Sequence, residues 1–238
     1  MTVHRVDGDI DYYYLANARH AENRVIPPID QDVWLTTGSP RSVPVRLDAW
    51  TGRTEGVAFT RAEHRVCVRV ALQPGQSMLL VLRHRAAEVP VRSFVEPPTP
   101  LTDWDLDVED WQPTGVARHR LALDGLLAWS SIPELADVSG IGRYRTTVVA
   151  PAGGRRALLD LGKVVDTCRV RLNGRLLPPV DVLRPVADLM LRAGPNTLEV
   201  EVATTLLNRL RTTNPAVFAI AGRQAYGLLG PVQLRWYR

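Results

Sequence analysis

Cys168-Arg169-Val170-Arg171-Leu172 alternates apolar and charged side chains and runs into Asn173-Gly174. Alternation with period two marks a half-buried strand, and Asn-Gly tolerates the positive φ that a two-residue hairpin turn requires. The pattern recurs on both sides. Ala193-Gly194-Pro195-Asn196 turns the chain into the alternating run Thr197-Leu198-Glu199-Val200-Glu201-Val202. Upstream, Arg65-Val66-Cys67-Val68-Arg69-Val70-Ala71-Leu72 puts Val66, Val68, Val70 and Leu72 on one face and a mixed set on the other. Gln73-Pro74-Gly75-Gln76 turns the chain again, and Ser77-Met78-Leu79-Leu80-Val81-Leu82 is more continuously apolar. Helical spacing is scarce: residues 180–191 alone suggest a turn or short helix, and Pro185 limits it. Short strands at intervals of about 8 to 12 residues, punctuated by Gly and Pro, read as β-sandwich or jelly roll. The expected fold class is all-β.

Composition narrows the function classes. The 238 residues are 45% hydrophobic and 23% charged, average for a folded globular chain, and no apolar run approaches the roughly 20 residues that span a bilayer. The 29 basic and 25 acidic side chains leave a net charge of +4. Their signs are interspersed rather than gathered on a face or tail, which argues against a nucleic-acid partner. Residues 1–20 contain no apolar signal core, so a complete natural chain is expected to remain cytoplasmic. Cys67 and Cys168 each sit inside an alternating run and read as small buried hydrophobes.

Val95-Glu96-Pro97-Pro98-Thr99-Pro100 places three prolines in six residues. Such a segment resists ladder pairing and is stiff, so the expected organisation is two β-sandwich domains, residues 1–95 and 101–238. Just beyond it, Asp103-Trp104-Asp105-Leu106-Asp107-Val108-Glu109 would turn Trp104, Leu106 and Val108 inward and four carboxylates outward. A solvated face is the simpler reading, because calcium needs six to eight oxygens from converging loops.

Catalytic signatures are absent. There is no zinc-protease helix motif, phosphate-cradling Gly-rich loop or paired CxxC, and no nucleophile elbow. Ser139-Gly140-Ile141-Gly142 is only superficially a Gly-rich turn. His4, His20, His64, His84 and His119 are scattered, so neither a metal nor a cofactor is expected. Sugar recognition demands less: an aromatic face for the C–H side of a pyranose, and polar side chains for its hydroxyls. Among the candidates, Tyr144 alternates with Arg143 and Arg145 as a core residue would, Asn173 serves its turn, and Asn214 is a further polar group. The ligand-binding candidates are therefore Trp129, Arg143, Asn208, Arg209 and Tyr226. If the chain performs chemistry of its own, Asp48, Trp50 and Tyr226 are the candidate catalytic residues.

Further motifs occur in a telling order. Asp11-Tyr12-Tyr13-Tyr14-Leu15-Ala16-Asn17, Leu47-Asp48-Ala49-Trp50-Thr51-Gly52 and Leu72-Gln73-Pro74-Gly75-Gln76-Ser77 occupy the first part. Ser139-Gly140-Ile141-Gly142-Arg143-Tyr144, Leu158-Leu159-Asp160-Leu161-Gly162-Lys163-Val164, Leu207-Asn208-Arg209-Leu210 and Tyr226-Gly227-Leu228-Leu229-Gly230-Pro231-Val232 occupy the second. Over nearly the whole chain this resembles the C-terminal, non-catalytic region of bacterial α-L-rhamnosidase-like enzymes of glycoside hydrolase family 106. The resemblance implies that the second domain is a galactose-binding-like jelly roll, that 72–77 closes a hairpin, and that the catalytic (β/α)₈ barrel lies outside this chain.

Three functions are consistent with these residues. One is a carbohydrate-recognition or accessory module. The second is a stand-alone enzyme that reuses the jelly roll for cyclisation, elimination or hydrolysis of a small molecule in a biosynthetic pathway. The third is a structural module that packs on a protein partner or on itself. A shallow polar groove speaks for the first, a deep apolar pocket with a carboxylate of raised pKa for the second, and a large exposed apolar patch for the third.

Overall fold

A computed structural model describes residues 1–18, 25–84 and 89–238; His20 lies outside the described residues. The chain divides into two compact units, Met1–Ser93 and Phe94–Arg238. Both are β-sandwiches, so the all-β expectation holds. Among the described residues no helix is long and apolar enough to cross a membrane.

In the first unit the strands are β1 (Thr2–Asp7), β2 (Ile10–Ala16), β3 (Ile29–Thr36), β4 (Val43–Leu47), β5 (Thr54–Gly56), β6 (Phe59–Ala62), β7 (Arg65–Leu72) and β8 (Ser77–Arg83). They form a five-stranded sheet ordered β1-β2-β8-β4-β5 and a three-stranded sheet ordered β3-β7-β6. Val66, Val68, Val70 and Leu72 all point into one core with Tyr13, Leu15, Leu80 and Leu82 of the larger sheet. The turn at 73–76 is not a hairpin. It carries the chain from the small sheet to the large one, where β8 pairs with β2 and β4. The apolar run in β8 explains why: Leu80, Val81 and Leu82 are all buried, as in a central strand. Asn17 pins this crossing, with its side-chain amide donating to Pro27 O (2.9 Å) and Leu72 O (3.1 Å).

The second unit contains β9 (Thr99–Pro100), β10 (Trp104–Gln112), β11 (Gly115–Leu123), β12 (Gly140–Ala150), β13 (Arg155–Asp160), β14 (Lys163–Val165), β15 (Thr167–Leu172), β16 (Arg175–Leu176), β17 (Val186–Leu191), β18 (Gly194–Ala203), β19 (Gly227–Gly230) and β20 (Gln233–Trp236). A six-stranded sheet, β11-β10-β12-β18-β15-β16, shares one core with the four-stranded sheet β17-β13-β20-β9 and the pair β14-β19. Asn173 (φ 51°) and Gly174 (φ 80°) turn β15 into β16 as an Asn-Gly hairpin should. The proline-rich stretch lies along the unit's edge, where missing N–H groups do no harm: Thr99 and Pro100 pair with β20.

Residues 180–191 hold a turn, with Arg184 N donating to Asp181 O (3.0 Å), but no helix. That stretch ends in β17, whose Ala187, Leu189 and Leu191 alternate inward with a strand's period of two. The short helices are α1 (Leu207–Thr213) and α2 (Pro215–Phe218), inside the crossing from β18 to β19, with single 3₁₀ turns at Trp129–Ser131 and Pro133–Leu135. Cys67 and Cys168 are both free and only partly buried.

Candidate functional site

The outer face of the six-stranded sheet is a charge lattice written by the alternation and fixed by register. Each strand contributes one sign: Arg118 and Arg120 on β11, Asp107 and Glu109 on β10, Arg143 and Arg145 on β12, Glu199 and Glu201 on β18, Arg169 and Arg171 on β15. Arg143 reaches Glu109 (2.9 Å) and Glu201 (3.0 Å), while Arg145 reaches Asp107 (2.7 Å) and Glu199 (2.8 Å). Arg120–Asp107 (3.1 Å) and Arg171–Glu199 (3.5 Å) extend the rows outward. The Arg143 guanidinium holds the Glu109 carboxyl below its ordinary range. Asp107 and Glu109 are therefore ion-paired rather than simply solvated. Solvent-accessible pairs of this kind, here half-buried, contribute about 0–1 kcal/mol each; their main effect is to hold long side chains in a fixed pattern.

At one end of the lattice, a groove of about 670 Å³ opens between the start of β10, the end of β11 and the middle of β12. Asp103, Asp105 and Asp124 supply carboxylates, Arg145 a guanidinium, and Thr146, Thr147 and Thr197 hydroxyls. Pro100, Leu101 and Leu123 give it an apolar flank. Asp103 adopts φ 38° and accepts a hydrogen bond from Thr102 Oγ1 (2.7 Å). Among the described residues no ion pair engages Asp103, Asp105 or Asp124. Trp104 lines the groove but is 1% exposed, so it offers no stacking face.

The residues singled out from sequence fall into three places. Trp129, Tyr226, Asn208 and Arg209 come together around the 205–226 crossing, where they hold the unit's own structure. Trp129 is fully buried, and its indole N–H donates to Tyr144 Oη (2.7 Å). Tyr226 packs edge-on against it at 6.4 Å and shares a hydrogen bond with Thr205 Oγ1 (2.6 Å). Two glycines make room for this indole: a Cβ on Gly142 would lie 2.4 Å from Trp129 Cζ2, and one on Gly227 (φ 114°) 2.6 Å from Tyr144 Oη. Burial pushes the Tyr144 phenol up to about 12. Asn208 donates to Gln224 O (2.9 Å) and accepts from Gln224 N (2.8 Å), and Arg209 is ion-paired with buried Asp110. Arg143 belongs to the lattice. Asp48 and Trp50 sit at the β4–β5 tip of the first unit, where Asp48 Oδ1 accepts from Trp50 N (2.8 Å) and Thr51 N (3.2 Å).

One constellation went unread in the sequence. Asp11, 1% exposed on β2, accepts from His4 Nε2 (2.8 Å), His84 Nε2 (2.8 Å), Thr37 Oγ1 (3.0 Å) and Gly38 N (3.1 Å). Burial alone would raise its pKa, but these bonds outweigh it and lower the carboxyl to about 2. His4 also stacks on Tyr13, with centroids 4.1 Å apart. A signal did exist: Asp11 shares the inward face of its strand with Tyr13 and Leu15, a position no solvated carboxylate takes. Among the described residues no group of three or more His, Cys, Asp or Glu side chains is arranged to hold a metal ion.

Neither a protein-family model nor a curated protein matches the chain. Solved structures do. A rhamnosidase from Novosphingobium sp. PP1Y aligns at 25% identity over 98% of this chain and 23% of its own, with a TM-score of 0.75. A GH2 beta-galacturonidase from Eisenbergiella tayi (14% identity, 61% and 25% of the two chains, TM-score 0.43) aligns more loosely. So does a beta-glucuronidase from Faecalibacterium prausnitzii (18%, 61% and 32%, TM-score 0.40). Those two alignments are too loose to argue from. This chain spans 23% of the length of the rhamnosidase. Its fold is therefore a glycoside-hydrolase-associated one.

Proposed function

We propose that this chain is a carbohydrate-binding accessory region of the kind that follows the catalytic barrel in family 106 glycoside hydrolases, and that it takes its ligand in the groove beside Asp105 and Arg145. The groove is the observation that carries this reading. A sugar presents clustered hydroxyls that both donate and accept; carboxylates accept from them, while a guanidinium and threonine hydroxyls donate back. Pro100, Leu101 and Leu123 offer cover for the C–H side of the ring. Three carboxylates against one guanidinium repel an acidic sugar, so the groove favours neutral ones. Likeness to part of a rhamnosidase makes a neutral deoxyhexose such as rhamnose the first ligand to test.

Four carboxylates outside the groove are unsuited to act as a general acid. Asp11, Glu109, Asp110 and Asp137 are all shifted downward, whereas a general acid working near neutral pH needs an upward shift. Calorimetric titration with methyl α-L-rhamnopyranoside, methyl β-D-galactopyranoside and galacturonate tests the proposal. Saturable heat from a neutral glycoside, lost in Asp105→Asn and Arg145→Ala, is expected. Silence from every sugar, or preference for galacturonate, would contradict it.

A further inference from the structure

The groove lacks an aromatic platform, and the six tryptophans show where one is available. Trp104, Trp129 and Trp236 are buried. Trp34 is half exposed, but the Arg65 guanidinium sits 5.4 Å from its ring centre. Trp111 is 39% exposed, on β10. Trp50 is the most exposed of the six at 58%, and among the described residues neither a cation nor another ring covers it.

Its setting is ordered. Besides the two bonds to Asp48 Oδ1, Asp48 N donates to Arg53 O (2.8 Å) and Gly52 N donates to Asp48 O (2.8 Å). This closes the tip between β4 and β5 into a fixed loop, so Trp50 projects from a held backbone rather than a slack one. Asp48 Oδ2 has no partner among the described contacts. Ala49, Thr51, Gly52 and Arg53 around the ring are small or polar. A protein partner would need a continuous apolar surface there; an exposed indole on a short loop that also carries a carboxylate matches one sugar unit instead.

We infer that the β4–β5 tip is a second sugar contact, in which the Trp50 face covers the C–H side of a neutral pyranose and Asp48 Oδ2 accepts from one of its hydroxyls. This rests on the carbohydrate-binding reading above but uses other residues. The test follows the six indole N–H resonances by NMR while methyl α-L-rhamnopyranoside and methyl β-D-galactopyranoside are added, with the Trp50 signal assigned by its loss in Trp50→Phe. The Trp50 resonance should move saturably. Trp50→Ala should weaken that site about tenfold, Trp50→Phe should retain most of the binding, and Asp105→Asn should leave the Trp50 response unchanged. Saturable shifts at the groove with a stationary Trp50 resonance would overturn this inference and leave the accessory reading intact. No shift anywhere would overturn both.

Discussion

Among the described residues each unit buries one strand carboxylate, and the two are neutralised differently. Asp11 in the first unit is 1% exposed and is met by two imidazoles, a hydroxyl and a backbone amide. Asp110 in the second is 2% exposed and is met by the Arg209 guanidinium, the Gln112 amide (2.7 Å) and, at 3.6 Å, His119 Nε2. Arginine stays charged at any working pH. The Asp110 pair is a fixed clamp between β10 and α1. The Asp11 cluster ties β1, β2 and the end of β8 through two imidazoles, a hydroxyl and a backbone amide. A buried carboxylate is thus tolerated in both units, but only the second meets it with a guanidinium.

Four outcomes would sharpen or break this contrast, taken here from the largest effect downward. Arg209→Ala leaves Asp110 buried without a counter-charge, so urea unfolding of the second unit should lose about 3–5 kcal/mol. In the first unit the lowered Asp11 pKa adds stability that is complete above the ordinary carboxylate value of 3.8 and is lost as pH falls toward about 2. Acid titration should remove about 2 kcal/mol across that window, and Asp11→Asn should flatten the slope; an unchanged slope in the variant would place the acid sensitivity elsewhere. His84→Gln, which deletes one of several partners, should cost about 1–2 kcal/mol by thermal melting. Arg120→Ala, at the exposed rim of the lattice, should change stability by at most about 0.5 kcal/mol, and 1 M salt should erase even that.

The fold was legible because alternation is a local signal. Val66 to Leu72, and Leu198 to Val202, show their buried face in any seven-residue window, and Asn173-Gly174 announces its own turn. That β7 and β8 lie in different sheets was not legible, since the same turn residues serve a hairpin or a step between sheets. Only the burial of Leu80, Val81 and Leu82 on both sides decides between them. The short helices escaped notice because seven residues of α1 cannot display a helical period. The candidate site was hardest. Trp129 and Tyr226 carry the side chains that sugar recognition wants, yet Gly142 and Gly227 open a core slot that takes the indole. Asp105, Arg145 and Thr197 meet only through the β10–β12–β18 register, which no stretch of sequence displays.

Amide-resolved NMR of the isotope-labelled chain during addition of methyl α-L-rhamnopyranoside addresses the carbohydrate-binding claim most directly. Saturable shifts gathered at Asp103, Asp105, Asp124, Arg145, Thr146 and Thr197 are predicted. A spectrum that stays unmoved at those six positions and everywhere else would contradict it.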